Sequence, residues 1–297
     1  MTVDIMLPYY GDPELLRIAV RSVQAQDDPD WRFVVVDDGY PDPSVAEWFA
    51  ALDDPRVEYR RNETNLGANG NYRRCLELVD NELAVLMGAD DVMLPGYVRT
   101  TKELHRTHPE AGIFQVGVEC IDENGEPFAG LVDRAKRFLY APGGRGPRLL
   151  GGEDLAASLL RGNWLYFPSL AWRSDALLRK GFRQGLDVVQ DLALVIDLLV
   201  DGERMVVDDR VRFRYRRHRA SDSSVRALSG SRFVEERRYF LDIARELDAH
   251  GWHRAARVAR THLSSRLHAL TVVPQALRRG RSGDVGNLLR HTFASVE

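Results

Sequence analysis

Two adjacent carboxylates, Asp90 and Asp91, end the apolar run at residues 84–87, and they announce chemistry more directly than any other part of the chain. Like charges at neighbouring positions repel, and a divalent metal with oxygen ligands is the economical cation to compensate them. A plainer use of Asp90 is to cap a following helix, which Pro95 can open. Asp38 also follows an apolar run. Ionised, it only accepts hydrogen bonds and suits the imide N–H of a uracil or thymine ring. Tyr9 and Tyr10 offer rings that either stack on a base or plug a core. The loop NLGANG, residues 65–70, bares backbone N–H groups, and Arg73 and Arg74 follow it. Their forked donors suit phosphate, or surface ion pairs. Asp191 opens an apolar stretch with Leu192, Val195, Ile196, Leu198 and Leu199. A helix N-terminus there favours the ionised carboxylate, and capping is the alternative use.

These residues need a scaffold that brings them together. Short apolar runs at 3–7, 33–36, 84–87 and 111–118 and a further short segment at 57–60 read as strands, and helical spacing recurs between them, including a helix over 71–79. Strand and helix in alternation give a parallel sheet covered on both faces, with ligands collecting beyond the carboxyl ends of the strands. Residues 8–12, 37–38, 65–71 and 90–91 all fall at such ends. Further on, strands at 205–207 and 211–215 lead into the basic segment RYRRHRASDSS. Alternation there sets Arg214 and Arg216 on one face and Tyr215 and Arg217 on the other.

Composition bounds the reading. The chain has 297 residues, 44% hydrophobic, enough for a real core in one large domain or one and a half, and its net charge of -3 argues against nucleic acid as the main partner. Residues 1–220 carry 28 basic and 36 acidic side chains (net -8), whereas 221–297 carry 13 and 8 (net +5), so the two parts face each other or different partners. Cys75 and Cys120 lack metal-site spacing, and no apolar stretch reaches membrane-spanning length. The expectation is a reduced, cytoplasmic setting.

The segments LPYYGD, VVVDDGYPD, NLGANGNYRRCLEL and MGADDVMLPGY, in this order, resemble family 2 glycosyltransferases over residues 1–220. The resemblance implies the α/β GT-A fold of nucleotide-diphospho-sugar transferases, a Rossmann-like, mostly parallel central sheet with helices on both faces. Residues 1–120 would form the nucleotide-sugar half, 121–224 the acceptor and catalytic-base half, and 225–297 a helical C-terminal extension. Pro8, Tyr9, Tyr10, Asp12, Asp38, Asn65, Gly67, Asn71, Arg73 and Asp90 would then line the donor site. Asp91 and His218 would hold a divalent metal, Mn2+ or Mg2+. Asp191 would be the catalytic base of an inverting transfer, with Trp164, Tyr166 and Gln190 toward the acceptor. Two departures stand out: Gly88 replaces the first Asp of the D-x-D-D form, and Gln190 replaces the Glu of Glu-Asp.

The resemblance implies a UDP- or TDP-sugar donor and a hydroxyl acceptor, such as a glycan, a lipid-linked glycan or a natural product. A catalytically silent nucleotide-sugar-binding protein is a rival reading. A sugar-phosphate nucleotidyltransferase is another, but PYYGDP lacks the glycine-rich basic loop that such enzymes open with. In the tail, Trp252, Ala255, Ala259, Leu263, Leu267 and Leu270 repeat at helical steps among seven arginines and no acid between residues 250 and 283. Such a helix fits peripheral contact with the inner face of a membrane, a homodimer, or packing on the acidic part of the chain. The aromatic stretch 162–177 fits either an acceptor platform or core, and the glycine-rich loop 142–152 and residues 221–224 are candidates for movement.

Overall fold

A computed structural model describes residues 1–128, 139–217, 231–278 and 282–293. The elements in the first half are β1 (Val3–Tyr9), α1 (Pro13–Gln24), β2 (Trp31–Asp37), α2 (Ser44–Ala50), β3 (Val57–Arg61), α3 (Gly67–Leu76), β4 (Leu83–Leu86), β5 (Val92–Met93), α4 (Tyr97–Thr107) and β6 (Ala111–Ile121). Then come β7 (Arg148–Gly151), α5 (Gly152–Arg161), a 3-10 turn (Phe167–Ser169), β8 (Leu170–Arg173), α6 (Ser174–Lys180), α7 (Gln190–Val200) and β9 (Arg204–Arg216). Four helices end the described chain: α8 (Ser231–Ala249), α9 (His253–Thr261), α10 (Leu263–Arg278) and α11 (Ser282–Phe293).

The strands form one sheet in the order β3-β2-β1-β4-β8-β6-β9-β5, with β7 also on β9. β1, β2, β3 and β4 run parallel. β8 is antiparallel to both β4 and β6, so β6 and β9 regain the first direction. The carboxyl ends of β1, β2, β4, β6 and β9 therefore share one edge. Burial on both faces explains why β4 is apolar at every position rather than alternating. Leu16, Val20, Phe49 and Leu104 of α1, α2 and α4 cover one face. The other face meets α3 and α5 to α9 in a larger cluster that includes Trp172, Leu194, Phe240, Ile243 and Ala259.

Local chemistry accounts for the departures from the sequence reading. α3 starts at Gly67, ahead of residue 71, because Asn65 Oδ1 accepts the Gly67 N–H at 2.9 Å and turns the chain. The two strands expected at 205–215 are one strand, β9, which stays paired with β6 through register shifts at Gly117. A Cβ at Gly117 would lie 2.5 Å from the Asp209 carbonyl oxygen, so the irregularity requires glycine. Part of the supposed loop 142–152 is strand, β7, paired antiparallel with β9.

The tail stripe is not one helix. His262, at φ 33, breaks it, and the two parts face different ways. Ala255, Ala256 and Ala259 of α9 are buried, whereas Leu263, Leu267 and Leu270 of α10 are exposed. Charge complementarity seats the first part on the body of the protein. Glu153 Oε1 accepts the N–H groups of Arg254 and Ala255 at 2.6 and 3.0 Å, capping α9, and Arg254 pairs with Asp154. Among the described residues no helix is long and apolar enough to cross a membrane.

Candidate active site

β4 ends at Leu86, and the turn after it carries Asp90 and Asp91 to the shared sheet edge. Asp91 is buried, and its Oδ1 accepts the backbone N–H of Arg216 at 2.9 Å. Its Oδ2 has no hydrogen-bond partner among the described residues. Burial first, and the charge of Asp90 second, push the Asp91 carboxyl well above the usual carboxylate range. A buried, unpartnered oxygen beside a second acid is a donor set that suits a hard divalent cation. The departure at Gly88 has a steric correlate, since a Cβ there would fall 2.5 Å from Asp91 Oδ2 and 3.2 Å from Asp90 Oδ1. No group of three or more candidate metal-binding side chains is present among the described residues. His218 and residues 221–224 lie outside them.

Around the ends of β1 and β2 the expected donor residues separate into two kinds. Tyr10 is 58% exposed at the sheet edge, and its ring meets Tyr40 edge-on at 5.4 Å. Tyr9 is 0% exposed and bonds the Gly11 carbonyl at 2.8 Å, so the core-plug alternative holds for it and it offers no face to a base. Tyr9 is the last residue of β1 and Tyr10 lies just beyond it, and both rings meet Tyr40. Pro8 is half-buried and paired with Val36. Asp38 is buried and its Oδ1 accepts from Asn62 Nδ2 and Leu66 N at 2.9 and 2.8 Å, holding the loop before α3 against β2. Asp12 is exposed and caps α1 by accepting the Glu14 N–H at 2.7 Å. Asn65 and Gly67 are exposed in the turn that begins α3.

Two of the expected donor contacts do structural work instead. Asn71 is buried and spends its amide on the Val36 carbonyl, 2.7 Å, and on Asn62, 3.0 Å, so it has no surface to give a nucleotide. Arg73 leans toward the second half of the chain and donates to the Arg183 carbonyl at 3.1 Å. Of the arginines at the end of β9, Arg216 is buried and directed at backbone. Its Nε donates to the Asp90 carbonyl at 2.8 Å, and its Nη1 donates to the Asp122 carbonyl at 3.0 Å.

Asp191 opens into a cavity of about 310 Å³ formed by the α7 N-terminus, the segment 160–168, the end of β9 and the C-terminal helices. Asn163 orients it: Asn163 Oδ1 accepts the Leu165 N–H at 3.1 Å, which leaves Nδ2 to donate to Asp191 Oδ2 at 3.2 Å. Burial raises the Asp191 carboxyl above its ordinary range. The Leu192 N–H, the Arg232 charge and the Asn163 bond act against that rise. Asp197, a rival for the base, is tied to Arg183 at 2.6 Å, and exposed Asp187 accepts from Asn69. Tyr166 lines the cavity, but Trp164 and Gln190 do not. Trp164 is a core residue whose Nε1 donates to Ser158 at 3.0 Å, and Gln190 is buried. Trp172 is fully buried, so the aromatic stretch is mainly core.

Tyr215 joins the two acid sites. It lines the Asp191 cavity and its hydroxyl is pushed upward by burial first and then by the charge of Asp91, with Asp90 and Asp191 adding to it. Arg217 lines the same cavity, its guanidinium 5.2 Å from the Tyr215 ring centroid. Tyr72, partly buried with its ring edge-on to Phe167, has its hydroxyl raised by desolvation first and then by Asp91. Sequence reasoning missed Tyr72, which lies within NLGANGNYRRCLEL between the two residues singled out there, Asn71 and Arg73, and Asn163, which belongs to no motif. It also missed the residues from α8 and α10.

Residues 4–153 match the family described as "Glycosyl transferase family 2". An uncharacterized protein of Mycobacterium tuberculosis (strain CDC 1551 / Oshkosh) is 27% identical over 243 residues, 80% of this chain and 74% of that one. A Campylobacter jejuni (serotype O:2) protein, "GalNAc(5)-diNAcBac-PP-undecaprenol beta-1,3-glucosyltransferase", is 31% identical over 101 residues, 33% of this chain and 32% of its own. Among solved structures, residues 1–349 of S. aureus TarS in complex with UDP-GlcNAc superimpose with a TM-score of 0.69 at 15% identity, over 100% of this chain and 83% of that one.

Proposed function

From the premise that this chain belongs to glycosyl transferase family 2, we propose that it is an inverting enzyme that passes a sugar from a UDP- or TDP-sugar to an acceptor hydroxyl, with Asp191 as base. Family membership carries the coarser statement, a glycosyltransferase acting on a nucleotide sugar. One observation supports the finer one: Tyr215 lines the Asp191 cavity while the backbone N–H of the next residue, Arg216, donates to Asp91 Oδ1 at 2.9 Å, so the end of β9 connects the acid pair to the cavity acid.

The mechanism follows from what each side chain can do. Asp191, held by Asn163, takes the proton of an acceptor hydroxyl as that oxygen attacks the anomeric carbon from the cavity side. The leaving nucleoside diphosphate departs on the opposite face, so the configuration inverts. Asp91, with His218 outside the described residues, would hold a divalent ion, Mn2+ or Mg2+. The chemistry of such an ion is neutralisation of charge on the diphosphate. Arg217 faces the cavity and adds positive potential there. Exposed Tyr10 presents a ring for the base, and Asp38 holds the loop beside it.

A bound UDP-GlcNAc in the S. aureus TarS structure supports UDP as the carrier, and the name of the Campylobacter relative supports a lipid-linked saccharide as acceptor. The test is a thermal-shift panel of UDP, TDP, GDP and CMP with and without manganese, followed by transfer assays with sugars of the preferred carrier. At about 100 times its dissociation constant a ligand stabilises by about 2.7 kcal/mol. Stabilisation by UDP or TDP only with manganese agrees with the proposal. Equal responses to all four, indifferent to the metal, would refute it.

A further inference from the structure

Helix α8 turns three charged residues toward the segment that carries Asp191. Glu235 Oε1 accepts the backbone N–H groups of Asp187, Val188 and Val189 at 2.8, 2.6 and 3.1 Å, fixing the approach to α7 from outside. Arg232 and Glu236, one helical turn apart, line the same cavity as Asp191. Arg232 Nε donates to Glu236 Oε1 at 2.6 Å. Glu236 is buried and also accepts from Ser265 of α10, and Ser265 Oγ lies 2.8 Å from His291 Nε2 of α11. A buried polar chain thus runs from α11 through α10 and α8 to a guanidinium beside the candidate base.

We infer that Arg232 is a positioning residue for this reaction: the C-terminal helices hold its charge at the acceptor cavity so that Asp191 stays ionised and able to accept a proton. The inference rests on the reading of Asp191 as base. It assigns an active-site role to helices in which the sequence shows no motif. The other ionisable groups lining the cavity are Tyr215 from β9, Arg217 just beyond its end, Glu236 from α8 and His268 from α10. Against the effect of burial on Asp191 the Leu192 N–H acts first and the Arg232 charge next. Glu236 has the opposite sign and partly offsets Arg232, so the two residues act on Asp191 in opposite directions.

That opposition supplies the test. The full chain, labelled with 13C at aspartate carboxyls, is titrated by NMR, and the Asp191 signal is identified by its loss in Asp191→Asn. Arg232→Gln is expected to raise the Asp191 midpoint measurably, because it removes a cation that lines the same cavity. Arg232→Lys should restore most of it, and Glu236→Gln should lower the midpoint. An unmoved midpoint in Arg232→Gln, or shifts of the same sign in Arg232→Gln and Glu236→Gln, overturns the inference. If Arg232→Gln does not fold, Glu236→Gln decides alone, and a rise or no change overturns it. The titration reads the field at Asp191 whether or not that residue is the base. Undiminished transfer by Asp191→Asn would instead remove the base reading.

Discussion

The backbone N–H of Arg216 donates to Asp91 Oδ1 at 2.9 Å, joining positions 125 residues apart. That bond locks the acid pair after β4 to the end of β9, the strand that leads into the basic segment. It also fixes what lies on either side of it. The Arg216 guanidinium is turned to the carbonyls of Asp90 and Asp122, whereas its neighbours Tyr215 and Arg217 face the Asp191 cavity.

Asp91→Asn separates metal binding from folding. The folded-state pKa of Asp91 is raised above its unfolded value, so its ionised form opposes folding, and that cost eases as pH falls through the raised midpoint. Asparagine keeps an oxygen for the Arg216 N–H and removes the charge. Without metal, Asp91→Asn should melt above wild type at neutral pH. With manganese it should lose the stabilisation that wild type shows with nucleotide. A lower metal-free melting temperature would contradict the assigned role of burial.

Asp191→Asn should leave nucleotide-induced stabilisation unchanged and cut transfer by about 10²- to 10⁴-fold, the usual value of general base catalysis. Because burial raises the Asp191 carboxyl, the acid limb of the wild-type kcat profile should lie above the range of an ordinary aspartate, with activity rising as pH rises through it. A profile that falls only below pH about 4 would point to an unperturbed group.

Tyr10 and its neighbour make a contrasting pair. Tyr10→Ala removes an exposed ring and should weaken UDP binding by about 1 kcal/mol or more, the range of base–aromatic stacking, with little change in melting temperature. Tyr9→Ala empties a core position and should cost about 3–5 kcal/mol of stability, while its effect on UDP affinity in the folded fraction stays small. Titration calorimetry and thermal melts read the two effects separately.

This pair also shows what the sequence could reveal. Tyr9 is the last residue of a strand buried on both faces and Tyr10 the first beyond it, so which ring is exposed turns on where β1 ends beneath its covering helices. Asp38, Asp91 and Asp191 were legible because each follows or opens an apolar run, so local pattern alone carries them to an element end. Asn71 and Arg73 belong to a plausible phosphate-binding loop. Their partners, Val36 and Arg183, lie 35 and 110 residues away, and only packing reveals them. Arg232, Glu235 and Glu236 look like an ordinary charged helix face until α8 is laid against the N-terminus of α7.

The buried histidines of the tail give the last prediction. Burial lowers both His262 and His291 from 6.5 to about 4. Each is neutral in the folded protein, whereas the unfolded chain binds protons as pH falls below 6.5. Stability contributed by keeping them neutral is present above that value and is lost as pH falls toward about 4. Their surroundings place the loss in the C-terminal helices: His262 stacks on Phe240 at 5.6 Å, and His291 meets Ser265. Hydrogen exchange, corrected for intrinsic rates, should therefore rise in α8 to α11 between pH 7 and 5 before it rises in β1, β2 and β4. His262→Gln should flatten that dependence. Since Ser265 also binds Glu236, the partner of Arg232, the same acid loosening should reach the Asp191 cavity. An acid response spread evenly over sheet and tail, and unchanged in His262→Gln, would detach these histidines from the stability of the tail.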